Sequence, residues 1–313
     1  MDLLLGALTL GLITSLLSLG VYISFRLFEV ADITVDGSIT LGAAVTAILL
    51  VHGWNPLEAT AAGTLAGAAA GLVTGLLQTK CGVNPLLSGI LVMTALYSVN
   101  LRVMGQSNLS LMDSKTQQFY GLSAWADEFG KKLGGPWPVL AWEVKAGDLV
   151  TLGGIALLVG VVALAMYVFF RTNFGTALRA SGDNPQMVRA LGVSVEWCRI
   201  VGLALANALV ALSGSLLCQY QSYADAQMGI GSIVTGLASV IIGEALTGTR
   251  SLGLAIGGTV IGSILFRQLV ALAMLNDIKP SDLKLITAVC LFLALVLPQV
   301  WHKLRRPRPR ATG

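Results

Sequence analysis

Charge is what this sequence has least of. Only 12% of its 313 residues are Asp, Glu, Lys or Arg, against about 25% in an ordinary soluble domain, so a normal water-facing surface is excluded. Histidine is almost absent: His52 and His302 stand alone, and neither has a companion at metal-ligand spacing. The four cysteines, Cys81, Cys198, Cys218 and Cys290, share no short spacing, which excludes paired metal or redox motifs and leaves them as small apolar residues. A phosphate loop is also missing. The Gly130-Lys131 pair has Trp125 where the first glycine should stand and Lys132 where Ser or Thr should follow. No catalytic constellation and no nucleic-acid-binding pattern emerges, and no metal site is expected.

What is present is apolar length. Mean hydropathy is +0.78, and apolar stretches fall near 3–28, 37–52, 57–79, 85–104, 149–170, 198–220, 229–247, 252–275 and 283–301. A spanning helix takes roughly 20 such residues. The expected fold is therefore all-α, a polytopic membrane bundle of eight or nine transmembrane helices forming a single domain over 1–313. Asn55-Pro56, Asn84-Pro85 and Lys279-Pro280 place proline at or near helix starts. The first span carries no cleavable pattern and is expected to be permanent.

Basic residues set an expected orientation. With 171–199 on the cytoplasmic side, alternation gathers Arg26, Lys80, Arg171, Arg179, Arg189, Arg199, Arg250, Lys303, Arg305, Arg306, Arg308 and Arg310 there, twelve of twenty. Seven fall outside and Arg267 lies within a span. The carboxy terminus, with a basic tail over 302–313, is then cytoplasmic, and nine spans leave the amino terminus outside. The hydrophilic segment 105–147, with Trp125, Trp137 and Trp142, reads as an external loop at the headgroup layer.

Several features are candidates for function. Asp32 and Asp36 sit between two apolar runs, followed by Gly37 and Ser38. Carboxylates in a bilayer are costly and need a protein-lined or watered setting. Gly37-Ser38 fits the start of a half-helix beside a substrate path, as in transporters with interrupted spans; an ordinary short loop is the competing reading. Glu244, near a span end, is a pathway candidate or an ion-pair partner for Arg250 or Arg267. Asp225 is expected at the outer mouth. Gly63, Gly67, Gly71 and Gly75 line one side of a helix and allow close packing, against a neighbour in the same chain or a second subunit.

The run Arg171-Thr172-Asn173-Phe174-Gly175-Thr176-Ala177-Leu178-Arg179-Ala180-Ser181-Gly182-Asp183-Asn184-Pro185, continuing through Arg189-Ala190-Leu191-Gly192-Val193, resembles the cytoplasmic loop of the ABC permease family that includes branched-chain amino acid and ribose permeases. Asp32–Ser38 resembles that family's break in an early helix, with Asp36 as an extra acid. Gly231–Glu244 resembles another of its stretches, with Glu244 where glycine is usual. Asp36, Glu244 and the length look most like the tryptophan/tyrosine-type branch. Locally, Asp183 or Asn184 can cap a short helix beginning at Pro185 and stopped by Gly192.

The resemblance implies that this helix docks on a separate ATPase subunit. Met187, Val188 and Leu191 would be the apolar anchors, with Arg179 and Arg189 as the charged contacts. It also implies that ATP and Mg are used by the partner and that this chain binds no cofactor. An extracytoplasmic solute-binding protein and a second copy of the chain complete the expected assembly, set among membrane lipid in a bacterial plasma (inner) membrane. Segments 105–147 and 221–228 are the candidate docking surfaces for the binding protein. An ion-coupled secondary transporter using Glu244, Asp32 or Asp36, and a non-transport scaffold, are the weaker alternatives.

Overall fold

The computed structural model describes residues 2–112, 137–139, 142–144, 146–248, 251–274, 289 and 292. Helix α1 (Asp2–Tyr22) runs into a π-helical turn, Ile23–Leu27, and is followed by α2 (Thr34–Val51), α3 (Pro56–Thr79) and α4 (Pro85–Met104). Next come α5 (Ala146–Arg171), two short helices α6 (Asn173–Asp183) and α7 (Pro185–Ala190), then α8 (Val195–Gln221), α9 (Ser232–Thr247) and α10 (Leu252–Met274). Seven of these helices are long and apolar enough to cross a membrane, while Ser232–Thr247 is shorter. The expected all-α membrane bundle is what the chain forms. The apolar stretch 283–301 lies outside the described residues apart from Val289 and Phe292, and Cys290, His302 and the basic tail lie outside them entirely.

Helix starts follow the local chemistry. Asn55 and Asn84 each precede a proline and accept the amide of the residue beyond it, Leu57 at 3.1 Å and Leu86 at 3.0 Å. Two short ladders were not foreseen. Strand β1 (Asn108–Ser110) pairs antiparallel with β4 (Tyr223–Asp225), and β2 (Trp137–Val139) with β3 (Trp142–Val144). The β1–β4 ladder joins the two ends of the expected outer mouth, and three-residue strands carry too little pattern to be legible.

Helix α8 is the centre, packed by α1, α2 and α3. Oily side chains alone give little preference between helix and lipid, so small residues and polar contacts hold the bundle. Gly63, Gly67, Gly71 and Gly75 all face α8: a Cβ at Gly75 would stand 2.8 Å from Ile200 Cα, and one at Gly67 would run into Ala211 and the Asn207 carbonyl. The stripe is an intramolecular contact. Helix α10 joins α1 through Thr14 and Ser263 hydroxyls 3.1 Å apart, with Ser263 donating to the Gly11 carbonyl at 2.9 Å. Helices α9 and α10 meet through Gly243 on Gly258 and Gly262 on Ser239.

Helices α2 and α9 both start part-way along α8. Ser38 lies opposite Asn207 and Gly42 opposite Ala211, so α2 runs parallel to α8 with its first turn level with Asn207. That level is twelve residues into α8, or about 18 Å at 1.5 Å per residue. Helix α9 begins at the same level, because its first amides bond Asp36. Its 16 residues span about 24 Å, short of a hydrocarbon core of about 30 Å.

Candidate functional site: a mid-bundle break and a capped helix at its end

The break is built around two carboxylates. Asp32 is 1% exposed. Its Oδ1 accepts the Thr34 amide at 3.0 Å, capping α2, and its Oδ2 accepts from the Asn207 Nδ2 at 2.8 Å. The Asn207 Oδ1 in turn accepts the Ser38 hydroxyl at 2.7 Å. Thr34 and Thr74 hydroxyls lie 2.9 Å apart, and Asn100 Nδ2 donates to the Gly37 carbonyl at 3.3 Å. Asp36 serves α9 instead. Its Oδ2 accepts the Gly231 amide at 2.9 Å and its Oδ1 the Ile233 amide at 2.8 Å. Gly231 sits at the start of α9 with φ +87° and has no side chain to cap with, so the cap comes from another helix.

Asp36 thus lies in the first turn of one helix and against the amino end of a second, where backbone amides and the helix dipole both favour an anion. Glycine is required here by close approach. A Cβ at Gly229 would collide with the Asp36 carbonyl, and at Gly37 it would come within 2.9 Å of Leu96 and 3.2 Å of the Met93 backbone. Of the pathway candidates, Asp32, Asp36, Gly37 and Ser38 converge at this break. Glu244 does not. It lies at the far end of α9 and, among the described residues, pairs with Arg26 at 2.9 Å and not with Arg267. Arg250 is outside the described residues.

Asn207 and Asn100 belong to the network and were not singled out from the sequence. The signal was available: a polar amide inside an apolar span calls for a hydrogen-bonding partner on another helix. Asp225 is occupied locally, accepting the Gln227 amide at 2.7 Å and the Asn108 Nδ2 at 3.4 Å.

The second part of the site is at the end of the bundle reached by α5. The Thr172 hydroxyl caps α6 by accepting the Gly175 amide at 3.2 Å, and the Asn184 Oδ1 caps α7 by accepting the Met187 amide at 3.0 Å, with Pro185 at the first helical position. Gly192, at φ +81°, ends the segment. Asn184, not Asp183, is the capping residue. Met187 and Leu191 are 58% and 70% exposed, whereas Val188 is 3% exposed and faces inward. Gly192 and Arg189 are exposed.

Helix α6 is wedged against the break. A Cβ at Gly182 would enter the Leu27 carbonyl, Gly202 carries the Phe28 ring, and Leu178 is fully buried. Arg179 and Asp183 line a cavity of about 260 Å³ with Tyr22, Arg26, Glu29 and Glu244. Helix α6 therefore packs directly on the end of the π-helical turn, and residues 28–31 connect that turn to Asp32. Among the described residues no cluster of His, Cys, Asp or Glu is arranged to hold a metal ion.

The sequence profile described as Branched-chain amino acid transport system / permease component matches residues 3–296. A tyrosine transport system permease protein of Clostridioides difficile is 35% identical over 93% of this chain and 89% of its own length. The ribose import permease of Escherichia coli K12 is 26% identical over 85% of this chain and 76% of its own. Among solved structures, PsaBC from Streptococcus pneumoniae in complex with Fab aligns with a TM-score of 0.47 at 12% identity, over 93% of this chain and 89% of that one. The chain belongs to the family of branched-chain amino acid transport system permease components, and is the multi-pass membrane component of an ABC transporter rather than an enzyme.

Proposed function

We propose that this permease imports a small solute of the amino acid class, accepting it from an extracytoplasmic binding protein and releasing it to the cytoplasm as a partner ATPase drives the change of access. The observation that carries the reading is the α6–α7 segment. Its second helix offers Met187 and Leu191 outward, while its first is wedged on Leu27 and beside Phe28, the residues that lead into the break. A push on α7 by the ATPase, which alone uses ATP and Mg, has a short mechanical route to Asp32, Asp36 and the start of α9. Arg179 and Asp183 belong to the transmitting face of this lever, and Arg189, Leu191 and Met187 to its receiving face.

Family membership implies an ATPase and a binding protein as partners in general. The amino acid class is supported by the tyrosine-system relative. The basic segment 171–198 is taken as cytoplasmic, which puts the β1–β4 ladder, uniting 108–110 with 223–225, on the side where a binding protein would dock. A homodimer supplies the second half of the pathway.

The test is paired. Replacing Arg189 and Leu191 together by Glu should abolish co-purification of the ATPase while membrane insertion is unchanged; undiminished co-purification would refute the coupling role. Uptake of labelled aromatic and branched-chain amino acids should require both ATPase and binding protein. Uptake that persists without an ATPase would instead establish a secondary transporter.

A further inference from the structure

We propose that the cavity beneath α7 is a binding site for the phosphate group of an anionic phospholipid. The cavity, about 340 Å³, lies between the end of α3, α7 and the start of α8, lined by Gln78, Thr79, Arg189, Val195, Glu196 and Arg199 among others. Two of its donors have nothing to bond. The Nε2 of Gln78, a residue 7% exposed, and the Nε of Arg199 are buried without a hydrogen-bond partner among the described residues. Buried polar atoms are nearly always satisfied, and an exception asks what fills the space beside it.

The charge around the cavity has one sign to spare. Its acid, Glu196, is held by Lys80 at 3.5 Å, which leaves Arg189 and Arg199 without an acidic partner among the described residues. The start of α8 adds to this. Its 27 residues aim a dipole and unpaired first-turn amides at the same space, and the Ser194 hydroxyl satisfies only the Trp197 amide, at 3.4 Å. Arginine forks, amides and a helix amino end together make the donor set that a phosphate takes.

Position favours a lipid as the carrier. Helices α3 and α8 are both long and apolar enough to cross a membrane, which puts the end of one and the start of the other at the headgroup layer. Trp197 is exposed at this level, as indoles in that layer are. Leu72 and Leu76, towards the end of α3, are also exposed and offer apolar surface to acyl chains. Basic pockets between spanning helices bind anionic headgroups in this way. The unpartnered donors belong to the spanning helices and not to the outward face of α7, which points to a membrane component rather than to a protein seated on α7. The inference depends on the membrane placement of the helices and not on the transported solute.

Native mass spectrometry of the permease–ATPase complex, purified from phosphatidylglycerol-containing membranes, tests it. The intact complex should retain phosphatidylglycerol in preference to phosphatidylcholine. Arg199→Gln combined with Gln78→Leu should lower that retention about tenfold, and Arg199→Lys, which keeps a point charge, should preserve most of it in an equally monodisperse complex. Equal retention by the double variant overturns the site. Displacement of the lipid by excess inorganic phosphate overturns the lipid assignment in favour of a soluble anion. Loss of the ATPase from the Arg199→Gln complex with lipid retention unchanged overturns it in favour of a partner carboxylate.

Discussion

Asp36 is the residue whose surroundings say most about what it does. Both of its carboxylate oxygens are used by amides of another helix, at 2.9 and 2.8 Å. Asparagine keeps the shape but only one acceptor oxygen and no charge. Hydrogen bonds to charged groups contribute about 1.5–3 kcal/mol, so Asp36→Asn should lower solute uptake about tenfold or more in membranes that contain normal amounts of the protein. Uptake at the wild-type rate would remove Asp36 from any role in holding α9. The Arg26–Glu244 pair is more open to solvent, with side chains 47% and 22% exposed, and such pairs contribute about 1 kcal/mol or less. Arg26→Glu alone should slow uptake several-fold, and the exchange Arg26→Glu with Glu244→Arg should recover most of the loss. A double-mutant cycle with no coupling between the two positions would show that the pair is incidental.

At the scale of elements, the governing contact is α3 on α8. Gly67→Ala would push a methyl into Ala211 and the Asn207 carbonyl, and overpacking of this kind costs about 1–3 kcal/mol. It should lower the thermal stability of the detergent-purified protein, measured by the loss of monodisperse elution on heating. Gly160→Ala on α5, where a Cβ would meet nothing within 4 Å, should leave it unchanged or slightly raised, since alanine is the better helix former. The four-glycine spacing was legible because i, i+4 repetition marks a single face. Its partner was not, since Ala211, Leu203 and Ile200 look like any other apolar span. Helix starts at Asn55-Pro56 and Asn84-Pro85 were legible for the opposite reason: a cap is a local event and needs no knowledge of neighbours. The π-helical turn at Ile23–Leu27 and the two strand ladders had no such local mark.

For the whole molecule, composition determined the class and tertiary contact determined the site. Low charge and long apolar runs were sufficient for the membrane bundle. The acidic pair Asp32 and Asp36 was visible as an anomaly in an apolar stretch. The service of Asp32 to α2 is local, through the Thr34 amide two residues on, but its bond to Asn207 and the service of Asp36 to α9 reach residues 175 to 197 positions away and could not be read from spacing. Glu244 was visible too, but its partner Arg26 is 218 positions away in sequence, beyond the reach of any spacing argument. If the molecule works as proposed, the Arg189→Glu and Leu191→Glu pair should leave the break intact and silence it. Uptake and ATPase association would fall together while thermal stability stays near that of the native protein.

Helix α9 carries a consequence for how the protein is made. At about 24 Å it is too short to settle across a bilayer by itself, and the non-helical residues before it carry backbone groups that lipid cannot satisfy. Its two anchors, Asp36 at one end and Arg26 at the other, are both translated long before it. Both anchors are thus in place when α9 leaves the ribosome, whereas α10, which packs on it through Gly258 and Gly262, follows it. A chain lacking its first two helices should deliver α9 to the membrane without either anchor, as a substrate for quality-control proteases.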